Sequence, residues 1–210
     1  MLSNHDETRH ITRYELAHTG VTTPMRGQSR PCDRDLGTRR ARALPGGAHI
    51  YQGEELSLYE VESIPEELLQ DPTWERSGHT LRGRDGCRVP LPWTGDTPPF
   101  GFGPLGSTPW LPQPDDWKTY TAEANQADPA SMFQLYRAAL HLRKDHAELN
   151  SEELHWLDSP DGTRLFEHGK GLLCEINLLD RPPPLPNSCW LLLTSGPLEA
   201  GGLLPPDSAA

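Results

Sequence analysis

Proline and glycine limit what this chain can fold into more than any other feature of its sequence. Its 210 residues include 22 prolines and 19 glycines, and only 35% of the residues are hydrophobic. Proline fixes φ and removes a backbone donor, and glycine weakens helices and strands, so both interrupt regular structure. Long functional loops or partial disorder are therefore expected, above all at residues 71–117. That stretch also carries six large aromatic residues: Trp74, Trp93, Phe100, Phe102, Trp110 and Trp117.

Charge and cysteine content exclude several classes of function. A formal net charge of -11 at pH 7 and a pI near 5.2 argue against nucleic acid and anionic membrane as partners, because both would repel the protein, whereas a neutral sugar is compatible. No apolar run is long enough to span a membrane, and no signal segment follows Met1, so a cytoplasmic protein is expected. The four cysteines form no C-x-x-C pair, and the nine histidines lack paired ligand spacing. Neither a metal nor a cofactor is therefore expected.

The start of the chain carries the first candidate functional motif. A short apolar lead ends in Asn4-His5-Asp6, a pattern typical of a strand that presents polar side chains at its C-terminal end. The triplet alone is weak, because Asn and Asp also cap helices and form turns. Three longer segments follow it along the chain, at residues 44–56, 71–76 and 83–93.

Taken together, these four segments resemble the C-terminal part of the α-glucosidases of glycoside hydrolase family 13, of the oligo-1,6-glucosidase type. The resemblance implies an α/β plus β fold: the C-terminal part of a (β/α)8 TIM barrel followed by a small antiparallel β-domain. The barrel part would hold the end of strand seven, strand eight at residues 48–51, and the last helix, within residues 1–150. Residues 151–210 would form the β-domain, somewhat truncated. A complete barrel takes about 250 residues, so this chain is too short to hold one.

Local patterns predict the individual elements. Good helix formers at residues 39–44 start a helix that Pro45 ends after about two turns. Ser63 and Pro65 predict a short helix to about Gln70. Asp128 and Pro129 begin an amphipathic helix predicted at residues 129–148. Turns at 158–162 and 168–171 delimit strands at 164–167 and 172–177, and a further strand is predicted at 189–193.

The resemblance also assigns roles to individual residues. Asp6 becomes the carboxylate that bonds sugar hydroxyls and stabilises the transition state, with His5 beside it in the substrate site. The long loop after strand eight forms a wall of the sugar pocket, where Arg84 binds substrate and Asp85 orients the loop. The adjacent Glu54 and Glu55 point to opposite faces in a strand, so structural hydrogen bonding is the favoured role for them.

The catalytic set is incomplete in these 210 residues. Retaining glycosidases need a nucleophilic carboxylate and a general acid about 5 to 5.5 Å apart. In the family, both come from strands four and five, and neither motif is present in this sequence. The chain is therefore predicted to be inactive alone, although the intact family acts on α-linked oligosaccharides and glucosides.

Three interpretations stay open. The chain is a truncated α-glucosidase, a non-enzymatic remnant that binds a sugar or a partner, or the product of a decayed or mis-started reading frame. In the first case the unpaired barrel strands would expose backbone groups and apolar faces, and self-association of the fragment is expected.

Overall fold

The computed structural model describes residues 3–13, 44–178, 183–186, 189–206 and 208–210. Contacts between Cα atoms divide these residues into two units. The first unit contains the described residues of 3–13 and 50–134, and the second contains those of 44–49 and 135–210. The division at residue 150 that the sequence predicts stays a prediction.

The first unit contains little regular structure between residues 71 and 117, as the proline and glycine content predicts. Helix α1 (Thr73–Arg76) and two 3₁₀ helices, Asp85–Cys87 and Asp115–Thr119, interrupt the loop. A further 3₁₀ helix, Glu66–Leu68, follows Pro65, where the sequence predicts a longer helix. None of its three residues is buried, so no packing supports further turns.

Apolar side chains of the loop build the core of the first unit. Phe100, Leu111 and Trp117 are completely buried and pack with a cluster of aliphatic residues: Leu56, Leu58, Val61, Ile64, Val89 and Leu91. Two of the six loop aromatics therefore fill the core rather than face a ligand. Another three are largely exposed: Trp93, Phe102 and Trp110.

The helix predicted at residues 129–148 forms over a shorter range, and a second helix precedes it. Helix α2 (Ala122–Ala127), which the sequence analysis missed, is capped by Thr121, whose Oγ1 accepts from the Ala124 backbone N–H at 3.1 Å. Helix α3 (Met132–Asp145) begins later than predicted. The Asp128 carboxylate accepts from Ala130 in the turn after α2, and Ser131 Oγ caps α3 instead by accepting from the Gln134 N–H.

The second unit is built on a four-stranded antiparallel sheet in the order β1-β2-β3-β4. The strands are β1 (Leu154–Leu157), β2 (Thr163–His168), β3 (Leu172–Asn177) and β4 (Ser208–Ala209). The predicted strands at 164–167 and 172–177 are confirmed, with Phe166 opposite Cys174 across the pair. Phe166 is fully buried and packs with Cys174, Ile176 and Ala209.

The strand predicted at residues 189–193 is wrong. These residues form no strand, and Trp190 is 93% exposed. Strand β3 pairs instead with the C-terminal residues, since Glu175 and Ala210 exchange two backbone hydrogen bonds of 2.9 Å and Ile176 lies opposite Ala209. That edge of β3 is therefore already occupied by β4.

The predicted strand eight, at residues 48–51, does not form either. A strand requires a hydrogen-bonded neighbour, and no described segment forms a ladder with these residues. The Tyr51 carbonyl accepts instead from the Glu54 N–H in a turn. The predicted end of strand seven is not a strand among the described residues. Ser3 forms no ladder, and Asn4 forms an isolated bridge to Glu7. Leu2, and all but the last residue of the helix predicted at 39–44, lie outside the described residues.

Among the described residues, no helix is both long enough and apolar enough to cross a membrane. The cytoplasmic location stays a prediction.

Candidate functional site

The candidate site is a cluster of two aspartates and two arginines in the first unit. Asp6 Oδ1 accepts from Arg84 Nη1 at 2.7 Å and from Arg88 Nη2 at 3.1 Å. Asp71 Oδ2 accepts from Arg84 Nε at 2.6 Å and lies 3.5 Å from Arg88 Nη1. Each arginine therefore bridges the same two carboxylates. We call these four residues the arginine–aspartate cluster.

The two carboxylates of the cluster differ sharply in exposure. The Asp6 side chain is 47% exposed, whereas that of Asp71 is completely buried. The hydrogen bond from Arg84 holds the pKa of Asp71 below its usual range, against the opposing effect of burial. Asp71 therefore stays ionised and inaccessible, and Asp6 is the carboxylate of the cluster that a ligand can reach.

His5 completes the exposed side of the cluster. Its Nε2 lies 3.2 Å from Asp6 Oδ2, its backbone carbonyl accepts from Arg88 Nε at 2.8 Å, and its side chain is 70% exposed. The fold thus brings together Asp6, His5 and Arg84, the residues that the family resemblance selects, although Arg84 is 78 positions from Asp6 in sequence.

Asp85 supports the buried end of the cluster. Its Oδ2 accepts from the backbone N–H groups of Gln70 and Asp71, at 2.5 and 2.9 Å, and the residue is buried. These contacts tie the segment that carries Asp71 to the 3₁₀ helix that begins at Asp85. This geometry supports an orienting role for Asp85 in the loop.

Arg9 anchors the segment that carries His5 and Asp6. It is almost fully buried, donates to the carbonyls of Gln52 and Cys87 at 3.0 Å each, and lies over the Tyr51 ring at 5.1 Å. Its backbone N–H donates to Glu60 Oε2 at 3.0 Å. Because Cys87 immediately precedes Arg88, this buried guanidinium links residues 3–13 directly to the loop that supplies the cluster.

A second buried contact holds the same segment. Ser3 Oγ lies 2.9 Å from His10 Nδ1 and also accepts from the His10 backbone N–H. The Ser3 N–H donates to Glu54 Oε1 at 3.1 Å. Burial lowers the pKa of His10 to about 4, and the nearby positive charges of Arg13 and Arg9 add to the effect. His10 is therefore neutral at pH 7.

Glu54 and Glu55 have structural roles, in agreement with the sequence analysis. Glu54 is buried against Ser3, and Glu55 Oε2 accepts from the Gly53 N–H at 3.0 Å. Gly53 adopts φ +90°, and a Cβ there would lie 2.8 Å from Leu58 Cδ1 and 2.9 Å from Arg9 Nη1. Gly53 therefore allows the tight turn that carries both glutamates.

Sequence reasoning missed Asp71 and Arg88. Both residues lie in the segments at 71–76 and 83–93 that carry the family resemblance, but the resemblance assigns a role to neither. The spacing of Arg84 and Arg88, four residues apart around a 3₁₀ helix, was the available signal. Both arginines contact Asp71, which lies 13 positions before Arg84 in the sequence. Local sequence patterns do not reveal contacts over such a separation.

The chemistry open to the cluster is polar recognition. Two carboxylates balance two guanidinium groups, so the cluster has no formal net charge to select an ion. Its exposed groups offer both acceptors and donors, as a polyhydroxylated ligand requires. In the described part of the chain, no three His, Cys, Asp or Glu side chains are grouped to hold a metal.

Comparison with known families decides what kind of protein carries this cluster. The family model for the alpha amylase catalytic domain matches residues 1–152, most of the chain. The chain belongs to this family, glycoside hydrolase family 13. The resemblance that the four sequence segments carry is thereby confirmed.

Individual relatives agree with the family 13 assignment. The probable alpha-glucosidase of Rhizobium meliloti (strain 1021) is 33% identical over 181 residues, which are 85% of this chain and 30% of that protein. The oligo-1,6-glucosidase of Parageobacillus thermoglucosidasius is 29% identical over 162 residues, which are 69% of this chain and 27% of that one. This family 13 chain therefore spans about 30% of the length of these relatives.

The solved structures show the same fold relationship. The crystal structure of the alpha-glucosyl transfer enzyme XgtA matches 99% of this chain and 38% of its own, with a TM-score of 0.76 at 30% sequence identity. The structural neighbours are TIM-barrel enzymes of family 13, and this chain matches them together with its small antiparallel sheet.

Proposed function

We propose that the arginine–aspartate cluster is the sugar-binding part of a family 13 α-glucosidase active site. Asp6 stabilises the transition state, and His5 and Arg84 bind the substrate, an α-linked oligosaccharide or glucoside. The observation that carries the proposal is the 2.7 Å contact between Asp6 Oδ1 and Arg84 Nη1. This contact joins two of the motifs by which the sequence resembles the family.

The proposed architecture follows from the family as well. Residues 1–150 are the C-terminal part of the catalytic barrel, and residues 151–210 are the β-domain that follows it. The coverage of about 30% of the curated relatives and the sheet order β1-β2-β3-β4 support this assignment. Strand eight would form only where neighbouring barrel strands pair with it.

Asp6 would act by hydrogen bonding rather than by covalent chemistry. An oxocarbenium-like transition state develops positive charge on the sugar, and hydroxyl groups that bond a carboxylate are held more strongly as that charge grows. The half-exposed Asp6 carboxylate is placed to accept such bonds, while Arg84, 43% exposed, donates from the adjacent side. A group of this kind accelerates a reaction but supplies neither nucleophile nor acid.

The first experiment tests whether the chain hydrolyses α-glucosides without a nucleophile and a general acid. The resemblance places the nucleophile and the general acid on segments that these 210 residues do not contain. The purified chain should therefore hydrolyse maltose, isomaltose and an aryl α-glucoside no faster than a blank. Turnover that Asp6→Ala abolishes would contradict this expectation, because it would locate a complete catalytic set in the chain.

A full-length relative tests the role of Asp6 itself. The substitution equivalent to Asp6→Asn should lower kcat/KM by several orders of magnitude, because it removes the charge that interacts with the transition state. A matched substitution at the equivalent of Asp96, an exposed aspartate of the long loop, serves as the control. Equal kinetics for the two variants would refute the assignment of Asp6.

A further inference from the structure

One residue of the arginine–aspartate cluster, Asp71, has a side chain with no exposed surface. The Asp71 carboxylate is fully buried and contacts both Arg84 and Arg88, which carry their other guanidinium nitrogens to Asp6. An isolated buried carboxylate is costly, and paired guanidinium groups offset that cost. Each arginine therefore directs part of its guanidinium group to the buried Asp71 and another nitrogen to the exposed Asp6.

We propose that Asp71 is the positioning residue that sets Arg84 and Arg88 against Asp6 for sugar binding. The sugar-binding part of this inference rests on the proposed function. The positioning part rests on the contacts alone. Arg84 directs Nε and Nη2 to Asp71, at 2.6 and 3.5 Å, and Nη1 to Asp6. A guanidinium has five N–H bonds, so among its described contacts Arg84 keeps two N–H bonds for a sugar hydroxyl.

The position of Asp71 is itself determined by the backbone around it. Its Oδ1 accepts from the Thr73 N–H at 2.9 Å, and its Oδ2 accepts from the Arg84 N–H at 3.1 Å. Its own N–H donates to Asp85. The neighbouring Gly83 has φ +77°, and a Cβ there would lie 2.7 Å from Asp71 Cβ. A continuous series of contacts therefore runs from Asp85 through Asp71 to the two arginines and Asp6.

The substitution Asp71→Asn tests whether the charge of this side chain, rather than its size, positions the arginines. Asparagine keeps an oxygen for the Thr73 N–H and nearly the same volume, but it loses the negative charge that both guanidinium groups share. Arg84 and Arg88 would then have Asp6 as their only carboxylate in the cluster. Their guanidinium groups should leave the buried acceptor and become more accessible.

Arginine modification by phenylglyoxal, followed by peptide mass spectrometry, measures this accessibility in the full 210-residue chain. In Asp71→Asn, Arg84 and Arg88 should react at least about threefold faster than in the wild type, because charge-assisted hydrogen bonds are lost. Asp71→Glu keeps the charge on a longer side chain and should give intermediate rates. Asp96→Asn is the matched control, and the exposed Arg76 on α1 is the internal reference.

The outcomes separate the two parts of the inference. Unchanged rates at Arg84 and Arg88 in Asp71→Asn, with unchanged circular dichroism, overturn the positioning role. Were Asp71→Asn to unfold, Asp71→Ser decides, because it removes the carboxylate with a smaller side chain: faster reaction than wild type at unchanged circular dichroism supports the role, and wild-type rates overturn it.

Methyl α-glucoside serves as the sugar probe in the same assay. It should protect Arg84 from modification in the wild type and should protect it less in Asp71→Asn. A wild type that shows no protection counts against the proposed function and against the sugar-binding part of the inference. The modification rates without sugar still decide whether Asp71 positions the arginines. Equal protection in both proteins overturns the claim that Asp71 contributes to sugar binding.

Discussion

Acid should destabilise the first unit through His10, a buried residue of the segment that also carries His5 and Asp6. The side chain is almost completely buried, with Nδ1 2.9 Å from Ser3 Oγ. Ser3 Oγ accepts the His10 backbone N–H, and in the neutral tautomer that leaves Nδ1 without a proton the Ser3 hydroxyl donates to Nδ1. Protonation of Nδ1 removes this arrangement and places a cation in the interior near Arg9 and Arg13.

The sign of the pH dependence follows from the direction of the pKa change. Burial, together with Arg13 and Arg9, lowers the pKa of His10 from 6.5 to about 4 in the folded protein. Between these values the unfolded chain binds more protons than the folded one, so stability falls as the pH falls. The contribution is complete above pH 6.5 and is lost by about pH 4. The Glu54 carboxylate, 3.9 Å from Nδ1, opposes the effect.

The magnitude follows from the same two values. At about 1.36 kcal/mol for each pH unit, the full contribution is about 3 kcal/mol. Linkage places about 2 kcal/mol of this loss between pH 7 and pH 5. A domain of this size has a free energy of unfolding of about 5–15 kcal/mol, so the loss is a considerable fraction of it.

Urea unfolding at pH 7 and pH 5, followed by circular dichroism, tests this expectation. His10→Asn removes the titrating ring and keeps a polar group near Ser3, so it should be less stable at pH 7 but lose about 2 kcal/mol less than the wild type on acidification. His79→Asn is the control, because His79 is exposed and its φ of +63° suits asparagine. If His10→Asn and the wild type lose the same stability between the two pH values, the reasoning about His10 is wrong.

Three further predictions concern packing and solution behaviour. Gly83→Ala should cost about 1–3 kcal/mol more than Gly95→Ala in urea unfolding, because both glycines have positive φ but only Gly83 faces Asp71 Cβ at 2.7 Å, and equal costs would contradict this. Phe166→Ala, in the sheet of the second unit, should cost about 3–5 kcal/mol, and a change below about 1 kcal/mol would show that its burial is not maintained. The isolated chain should elute as an associated species in size-exclusion chromatography and bind a hydrophobic dye, whereas a compact monomer with one sharp thermal transition would refute the expected exposure of unpaired barrel elements.

Local sequence patterns were sufficient for elements that depend on neighbouring residues. The strands β2 and β3 are joined by a tight turn with glycines at positions 169 and 171, both of which have positive φ. Helix α3 was predicted because its apolar residues recur at helical spacing, although its start moved from Asp128 to Ser131. Caps are decided by a single hydrogen bond, which several adjacent polar residues can supply.

The family assignment also came from the sequence, because it rests on short segments whose residues and order are visible without a structure. Those segments contain Asp6, His5 and Arg84, and the fold brings all three side chains together. Their roles in sugar binding remain proposals. The residues between the motifs were not predicted in the same way, since their positions depend on partners far along the chain.

Only the tertiary structure decided the long-range pairings. Residues 48–51 and 189–193 have strand-forming composition, yet neither forms a strand in the described structure, because the first lacks a neighbour and β4 occupies the edge of β3. Amino-acid composition indicates which segments are able to form a strand. Whether a strand forms depends on which backbone groups lie within hydrogen-bonding distance of it. The buried charge of Asp71 follows the same rule: its stability in the interior comes from two arginines that sequence spacing does not place beside it.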